Sequence, residues 1–206
     1  MKNFHTAAAL LVVASLLLSA CSILPKATPV SVERYTLDVQ PPTTTPAAAD
    51  GPVLLIARPL ARAELDTSRM AYREQDHEIQ YFARSRWADA PPQLMLPGLI
   101  EAFEASGRYA AVIRIGSAAD PQLRLDTELL EFSQDFRAEP SRFDVRLRLQ
   151  LVDLASRKVI ASRIFEAHQN APASSPYGGA QAANAAWQAM LPELVAYCTA
   201  NLPASP

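Results

Sequence analysis

The longest regular pattern in the 206-residue chain lies between residues 121 and 167, where apolar and polar positions alternate with a period of two. In PQLRLDTELLEF, residues 121–132, Leu123, Leu125, Thr127 and Leu129 share one face, and Arg124, Asp126 and Glu128 share the other. In RFDVRLRLQLVDL, residues 142–154, Phe143, Val145, Leu147, Leu149 and Leu151 oppose Asp144, Arg146, Arg148 and Gln150. Successive side chains of a strand point to opposite faces of a sheet. Alternation of this length therefore predicts long antiparallel strands with one face in a core and one in water. A turn at Ala155-Ser156 leads into RKVIASRIFEA, residues 157–167, which completes a meander. Arg146 and Arg148 are placed to pair across strands with Asp126 and Glu128. Such pairs are worth at most about 1 kcal/mol each, so the ladder reads as a solvated face and not as a site.

Shorter segments fill in the rest. VLLIARPL, residues 53–60, is a continuous apolar run of strand length and predicts a central strand buried on both faces. VERYTLDV, residues 32–39, sets Tyr35, Leu37 and Val39 on one face and predicts a first strand. Between them, residues 40–52 hold four prolines and read as a loop. Residues 70–82 predict a hairpin turning at Gln75-Asp76-His77, and residues 109–116 a further strand. Two segments switch to helical spacing. Residues 92–106 place Leu96, Leu99, Ile100 and Phe103 on one stripe and stop at Gly107. Residues 180–202 repeat Ala180, Ala183, Trp187, Leu191, Leu194 and Cys198, after a break at ASSPYGG, residues 173–179. Asp89 is suited to cap the first helix, with Pro91 or Pro92 at its first position. Pro97 would remove an internal hydrogen bond at a cost of ~3 kcal/mol, so the helix either kinks or starts there. Pro192 should bend the second helix.

The N-terminus sets the compartment. Lys2 precedes an uncharged run from Thr6 to Ser19, shorter than the ~20 residues a membrane-spanning helix needs. The run fits a secretory signal. It ends Leu18-Ser19-Ala20-Cys21, which resembles the bacterial lipoprotein signal. That resemblance implies acylation of Cys21, cleavage after Ala20 and two or three acyl chains as the anchor. The alternative is a plain secretory peptide with an accidental cysteine. At about 0.8 kcal/mol per buried methylene, two chains hold a protein on a membrane where one does not. Ser22, by the sorting rule of Gram-negative lipoproteins, implies passage to the outer membrane. The expected layout is a signal at 1–20, a tether at 21–31 and one domain at 32–206. Loss of Lys2 with the signal takes the formal net charge from −2 to −3, which argues against a nucleic-acid partner. With Cys21 as the anchor, Cys198 has no partner for a disulfide and reads as a buried apolar side chain on the second helix.

Little points to catalysis or to a cofactor. The six glycines are scattered and form no phosphate loop. Beyond the signal only His77 and His168 remain, too few and too isolated for a zinc site. No G-x-S-x-G elbow is present. A two-carboxylate hydrolase would need a convergent polar cluster that the ladder faces do not provide.

The lipobox, Tyr35-x-Leu37, Tyr72-Arg73, Ile79-x-Tyr81-Phe82, Trp87-Ala88-x-x-Pro91 and Ser106-Gly107-x-Tyr109, in that order, resemble the ABC-type transport auxiliary lipoproteins. The paraquat-inducible protein C lipoproteins are among them. The resemblance implies an α/β fold: one compact domain with a mixed, mostly antiparallel sheet flanked by two main helices. It also implies an outer-membrane lipoprotein facing the periplasm, beside mammalian-cell-entry (MCE) proteins and an inner-membrane ABC permease and ATPase. On this reading the chain supports lipid transport and membrane integrity without catalysis or cofactor. A lipid-binding carrier is the alternative, and it would need a deep apolar cavity.

Residues 81–94, YFARSRWADAPPQL, admit two readings. In one, Tyr81 and Phe82 end a strand, Trp87 packs where the chain leaves the sheet, and Asp89 to Pro92 start the helix. In the other, Arg84 and Arg86 with Trp87 dock a partner or a lipid headgroup. Trp87 is assigned to the core, whereas Arg84 and Arg86 stay open as docking residues. The mixed charges of Asp144, Arg146 and Arg148 leave two further expectations, self-association through polar surfaces or a soluble monomer.

Overall fold

The computed structural model describes residues 31–40 and 43–203, so the signal, Cys21 and the tether up to residue 30 lie outside the described residues. The described chain forms a nine-stranded mixed sheet with two helices. Its strands are β1 (Glu33–Tyr35), β2 (Val53–Ile56), β3 (Leu60–Ala61), β4 (Arg69–Arg73), β5 (Gln80–Trp87), β6 (Ala111–Arg114), β7 (Leu123–Asp135), β8 (Arg142–Asp153) and β9 (Lys158–Asn170). The helices are α1 (Pro91–Ala105) and α2 (Pro176–Ala200).

The predicted meander is the backbone of the sheet. β7 pairs antiparallel with β8 from Leu123↔Asp153 to Asp135↔Arg142, and β8 pairs antiparallel with β9 over a similar length. The expected inner face is the observed one: Leu123, Leu125, Leu129, Phe143, Val145, Leu147, Leu149 and Leu151 are all buried. The outer ladder is rearranged. Glu128 stands opposite Arg148 and pairs with it, as expected. Arg146 instead pairs with Glu166 of β9 at 2.8 Å, and Asp126 takes Arg124 of its own strand at 2.7 Å. The irregularity between Leu129 and Glu131 shifts the register and sets Glu131 opposite Arg146. Arg146 and Arg148 thus find counter-charges inside the chain.

The other side of β7 is tiled by short parallel strands: β2 against its start, β3 at its middle and β4 at its end. β6 then adds parallel to β2, β5 antiparallel to β4, and β1 parallel to β5. The parallel pairings are short, and the two long pairings are antiparallel. The apolar run 53–60 is therefore not one central strand. It stops at Ile56 and resumes as a two-residue β3, with Arg58-Pro59 between, and Leu60 is 68% exposed. Nor is β2 buried on both faces: Leu54 and Ile56 are buried but Val53 and Leu55 are half-buried, because the helices cover only one side.

The first strand is shorter than its alternation predicts. β1 ends at Tyr35, and the chain continues as an extended strap along α2. Asp38 N donates to Asn184 Oδ1 (2.6 Å), Asn184 Nδ2 donates to the Thr36 carbonyl (3.0 Å), and Gln40 N donates to Gln188 Oε1 (2.9 Å). Asn184 and Gln188 are one helical turn apart and replace the ladder that a strand would need. Leu37 and Val39 still turn inward against the core.

α1 begins at Pro91, one of the two first positions expected, and runs through Pro97 without starting or ending there. Asp89 does not cap it. Ala90 holds the cap position, and the Asp89 carboxylate accepts from Ala90 N (2.7 Å). A capping side chain has little to satisfy, because Pro91 and Pro92 carry no N–H and Gln93 N already reaches the Ala90 carbonyl (2.9 Å). Met95 and Ala102 join Leu99 and Phe103 in the core, while Leu96 and Ile100 are only half-buried. α2 starts at Pro176, before the expected residue 180 and inside the stretch read as a break between elements, with the Ser175 hydroxyl accepting from Gly178 N (3.1 Å), and runs past Pro192 to Ala200. The expected stripe Ala180, Ala183, Trp187, Leu191, Leu194 and Cys198 is fully buried. Gly98 of α1 lets the helices close up: a Cβ there would lie 3.0 Å from Trp187 Nε1 and 3.0 Å from Val39 Cγ2. Among the described residues the buried core is drawn from residues 54–198, and Val32–Pro206 clusters as one compact unit.

Candidate functional site

Three places on the domain combine accessibility with chemistry. The first is at the β1–β5–β4 end of the uncovered face. Arg34 of β1 stands beside Arg86 of β5, and Arg86 stands opposite Arg69 of β4. Paired residues in a sheet share a face, so the three arginines form a row across three strands. Arg84 lies two residues before Arg86, and both alternate with the buried Ser85 and Trp87. Arg34, Arg69 and Arg84 are exposed, and Arg86 is half-buried. Among the described residues no ion pair involves any of the four.

Two of these guanidinium groups are held without being neutralised. Arg69 lies 3.7 Å from the centroid of the Tyr81 ring, and the Tyr81 hydroxyl donates to the Glu64 carbonyl (3.0 Å). Arg86 Nη1 donates to the carbonyls of Phe82 and Ser85, the second at 3.0 Å. Tyr81 and Phe82 begin β5 rather than end a strand, because the strand runs on to Trp87. Trp87 is 1% exposed, 5.1 Å from the Phe132 ring and 6.1 Å from Phe143. It is a core residue, and the docking reading keeps only the arginines. Arg34 and Arg69 escape a reading of the sequence, since they join Arg86 only through a parallel pairing and an irregular hairpin register.

The second place is a groove of about 200 Å³ between α1, α2 and the strap, lined by Val39, Gly98, Ala102, Leu191, Pro192 and Val195 among others. It is mainly apolar and smaller than the roughly 300–1,000 Å³ usual for a small-molecule site. Cys198 stays inside the core near this helix pair, and burial pushes its thiol up to about 12, which keeps it protonated and inert.

The third place is a charged cluster at the far end of β7, β8 and β9. Asp135 and Asp144 are buried there. Arg137 binds Asp135 at 2.8 Å and also pairs with Asp76, and this pairing with Arg137 holds the Asp135 carboxyl below the usual carboxylate range. Arg142 reaches Asp144 at 3.0 Å, and His168 Nδ1 is 2.7 Å from the same carboxylate. Ser133, Asp144 and His168 stand in register across three strands. The carboxylate is the middle member. His168 therefore bonds Asp144 and not the serine, and the row lacks the Ser–His contact that would activate a nucleophile. No group of three or more His, Cys, Asp or Glu side chains among the described residues could hold a metal ion. No described helix is long and apolar enough to cross a membrane.

Residues 35–195 match the family model of the ABC-type transport auxiliary lipoprotein component. The chain belongs to that family. An uncharacterized protein of Bradyrhizobium diazoefficiens is 29% identical over 169 residues, which is 80% of this chain and 45% of that protein. The chain thus spans under half the length of this curated relative. A crystal structure of a Xanthomonas campestris protein of the family model DUF330 superposes with a TM-score of 0.71 at 25% identity, covering 82% of this chain and 96% of that one. A Chlamydia trachomatis protein superposes with a TM-score of 0.55 at 10% identity over 75% of this chain and 99% of that chain, a likeness of fold alone. Auxiliary lipoproteins of this family are components of ABC-type transport, and the mixed sheet with two helices is their expected fold.

Proposed function

We propose that the chain is a non-catalytic lipoprotein, acylated at Cys21 and held on the periplasmic side of the outer membrane. It serves an ABC-driven intermembrane lipid transport system by docking to the MCE protein of that system, and so supports membrane integrity. Residues 1–20 act as the signal, 21–31 as the tether and 32–206 as the docking domain. The family match over residues 35–195 carries this reading. Two features support it against the carrier alternative. The apolar groove between the helices, at about 200 Å³, is below the size usual for a small-molecule site. The larger hollows of about 510 and 440 Å³ are lined in part by charged side chains such as Arg58, Arg114, Arg62 and Glu78.

The anchor is tested by radiolabelled palmitate. The Cys21→Ser chain is expected to accumulate as uncleaved precursor without label, and Ser22→Asp to keep the labelled protein at the inner membrane. Normal cleavage and labelling of Cys21→Ser would overturn the lipoprotein assignment. The carrier reading rests on the apolar lining of the groove. Phospholipid bound in stoichiometric amount to the purified domain would favour it.

A further inference from the structure

The arginine row at the β1–β5–β4 end sets like charges side by side, and no described counter-charge offsets their repulsion. Like charges directly opposite each other in a sheet are destabilising. Here Arg86 faces Arg34 on one side and Arg69 on the other, with no described ion pair to relieve them. Charged edge strands discourage unwanted strand pairing, and that would explain Arg34 on the edge strand β1. It does not explain Arg69 and Arg86, which lie on interior strands. A local rule broken without a compensating counter-charge points to a recognition surface.

The chemistry is that of phosphate. All the cations are arginines, whose planar forks donate two parallel hydrogen bonds to phosphate oxygens. The contacts that hold Arg69 and Arg86 in place, an aromatic ring and two carbonyls, leave both charges available. Position selects the source of the phosphate. Arg34 follows Cys21 by thirteen residues, a contour of at most about 45 Å, and it lies on the strand that the tether enters. An acyl anchor at Cys21 would hold this face at high effective concentration over the headgroup layer.

We propose that Arg34, Arg69 and Arg86, with Arg84 beside them, form a face that docks on the anionic phospholipid headgroups of the membrane that anchors the chain. This rests on the reading of Cys21 as the acylated residue, which sets the distance to the bilayer. Docking sets which side of the domain faces the membrane and which is left for a protein partner.

The test uses the chain from residue 22 to 206, which carries the whole core and neither anchor nor signal, in sedimentation with vesicles of phosphatidylglycerol or of phosphatidylcholine. Binding to phosphatidylglycerol alone is expected, lost in molar salt, where the screening length falls to about 3 Å. Arg34→Gln and Arg69→Gln each weaken it about fivefold, and together about 25-fold. Both positions are exposed, and thermal unfolding at or above the wild-type temperature confirms that the variants fold. The pair Arg108→Gln and Lys158→Gln, exposed on other parts of the domain, leaves binding unchanged. Equal binding to both vesicle types, or an equal loss from the control pair, overturns the proposal. So does intact vesicle binding in the row variants together with lost capture of an MCE protein, which would assign the face to an acidic protein surface. Palmitate labelling of Cys21 separates the two readings. Labelling without vesicle binding removes the docking face and keeps the anchor, and vesicle binding by a chain that is not labelled in cells removes the anchor and its distance argument.

Discussion

On the face of the sheet beneath the helices, Leu125, Leu129, Val145, Leu147, Leu149 and Leu151 have no solvent exposure, and Trp87 and Trp187 have at most 1%. On the other face the same strands present Arg124, Asp126, Glu128, Arg146 and Arg148, paired side by side and half in water. One alternating pattern supplies both surfaces, but their energetics differ. Burial of apolar area under α1 and α2 holds the domain together, whereas exposed ion pairs contribute little. The uncovered face can therefore carry an unpaired row of arginines without endangering the fold. Recognition is placed where substitution is cheap.

The comparison breaks most readily at the covered face. Trp187→Ala should cost about 3–5 kcal/mol in urea unfolding, since a buried aromatic is lost and a cavity remains. A cost under about 1 kcal/mol would mean that the helix layer is not what stabilises the sheet. Gly98→Val should cost roughly 1–3 kcal/mol, because its first carbon already meets Trp187 and Val39 at 3.0 Å.

Asp135 sharpens the contrast, as a charge on the uncovered side that is nonetheless buried. Asp135→Asn should cost roughly 1–3 kcal/mol at neutral pH, through the loss of charge-assisted hydrogen bonds from Arg137. The carboxyl is depressed in the folded state, so its stabilisation is complete above the unfolded value of about 4 and is lost as pH falls through the lower folded value. The difference between wild type and variant should therefore shrink as the pH is lowered below about 4. A constant difference across that range would mean that the effect is packing and not charge. At the small end, a double-mutant cycle on Glu128 and Arg148 should give a coupling below about 1 kcal/mol that fades in salt.

The meander and the buried stripe of α2 are legible in the sequence because each depends on neighbours a few residues apart. Period two from Leu123 to Leu129 and from Phe143 to Leu151 is enough to assign faces. The tiling of β2, β3 and β4 along β7 is not legible. Its partners are far apart in sequence, and strands of two to five residues carry no periodic signal. Thr36 to Gln40 alternate like a strand, yet they bond to Asn184 and Gln188, nearly 150 residues away. The same limit applies to the arginine row. Arg84 and Arg86 draw notice by their density in one stretch, while Arg34 and Arg69 reach them only through the register of the folded sheet. The lipobox reading of Leu18 to Cys21 is of the opposite kind, since it rests on a local motif and on no fold.

Affinity purification of the acylated chain from gently solubilised membranes of its own host, with proteins and lipids both identified by mass spectrometry, tests the central claim most directly. The account predicts recovery of an MCE protein together with its ABC permease or ATPase, and no phospholipid in stoichiometric amount. Stoichiometric phospholipid with no MCE protein would contradict it and make the chain a carrier.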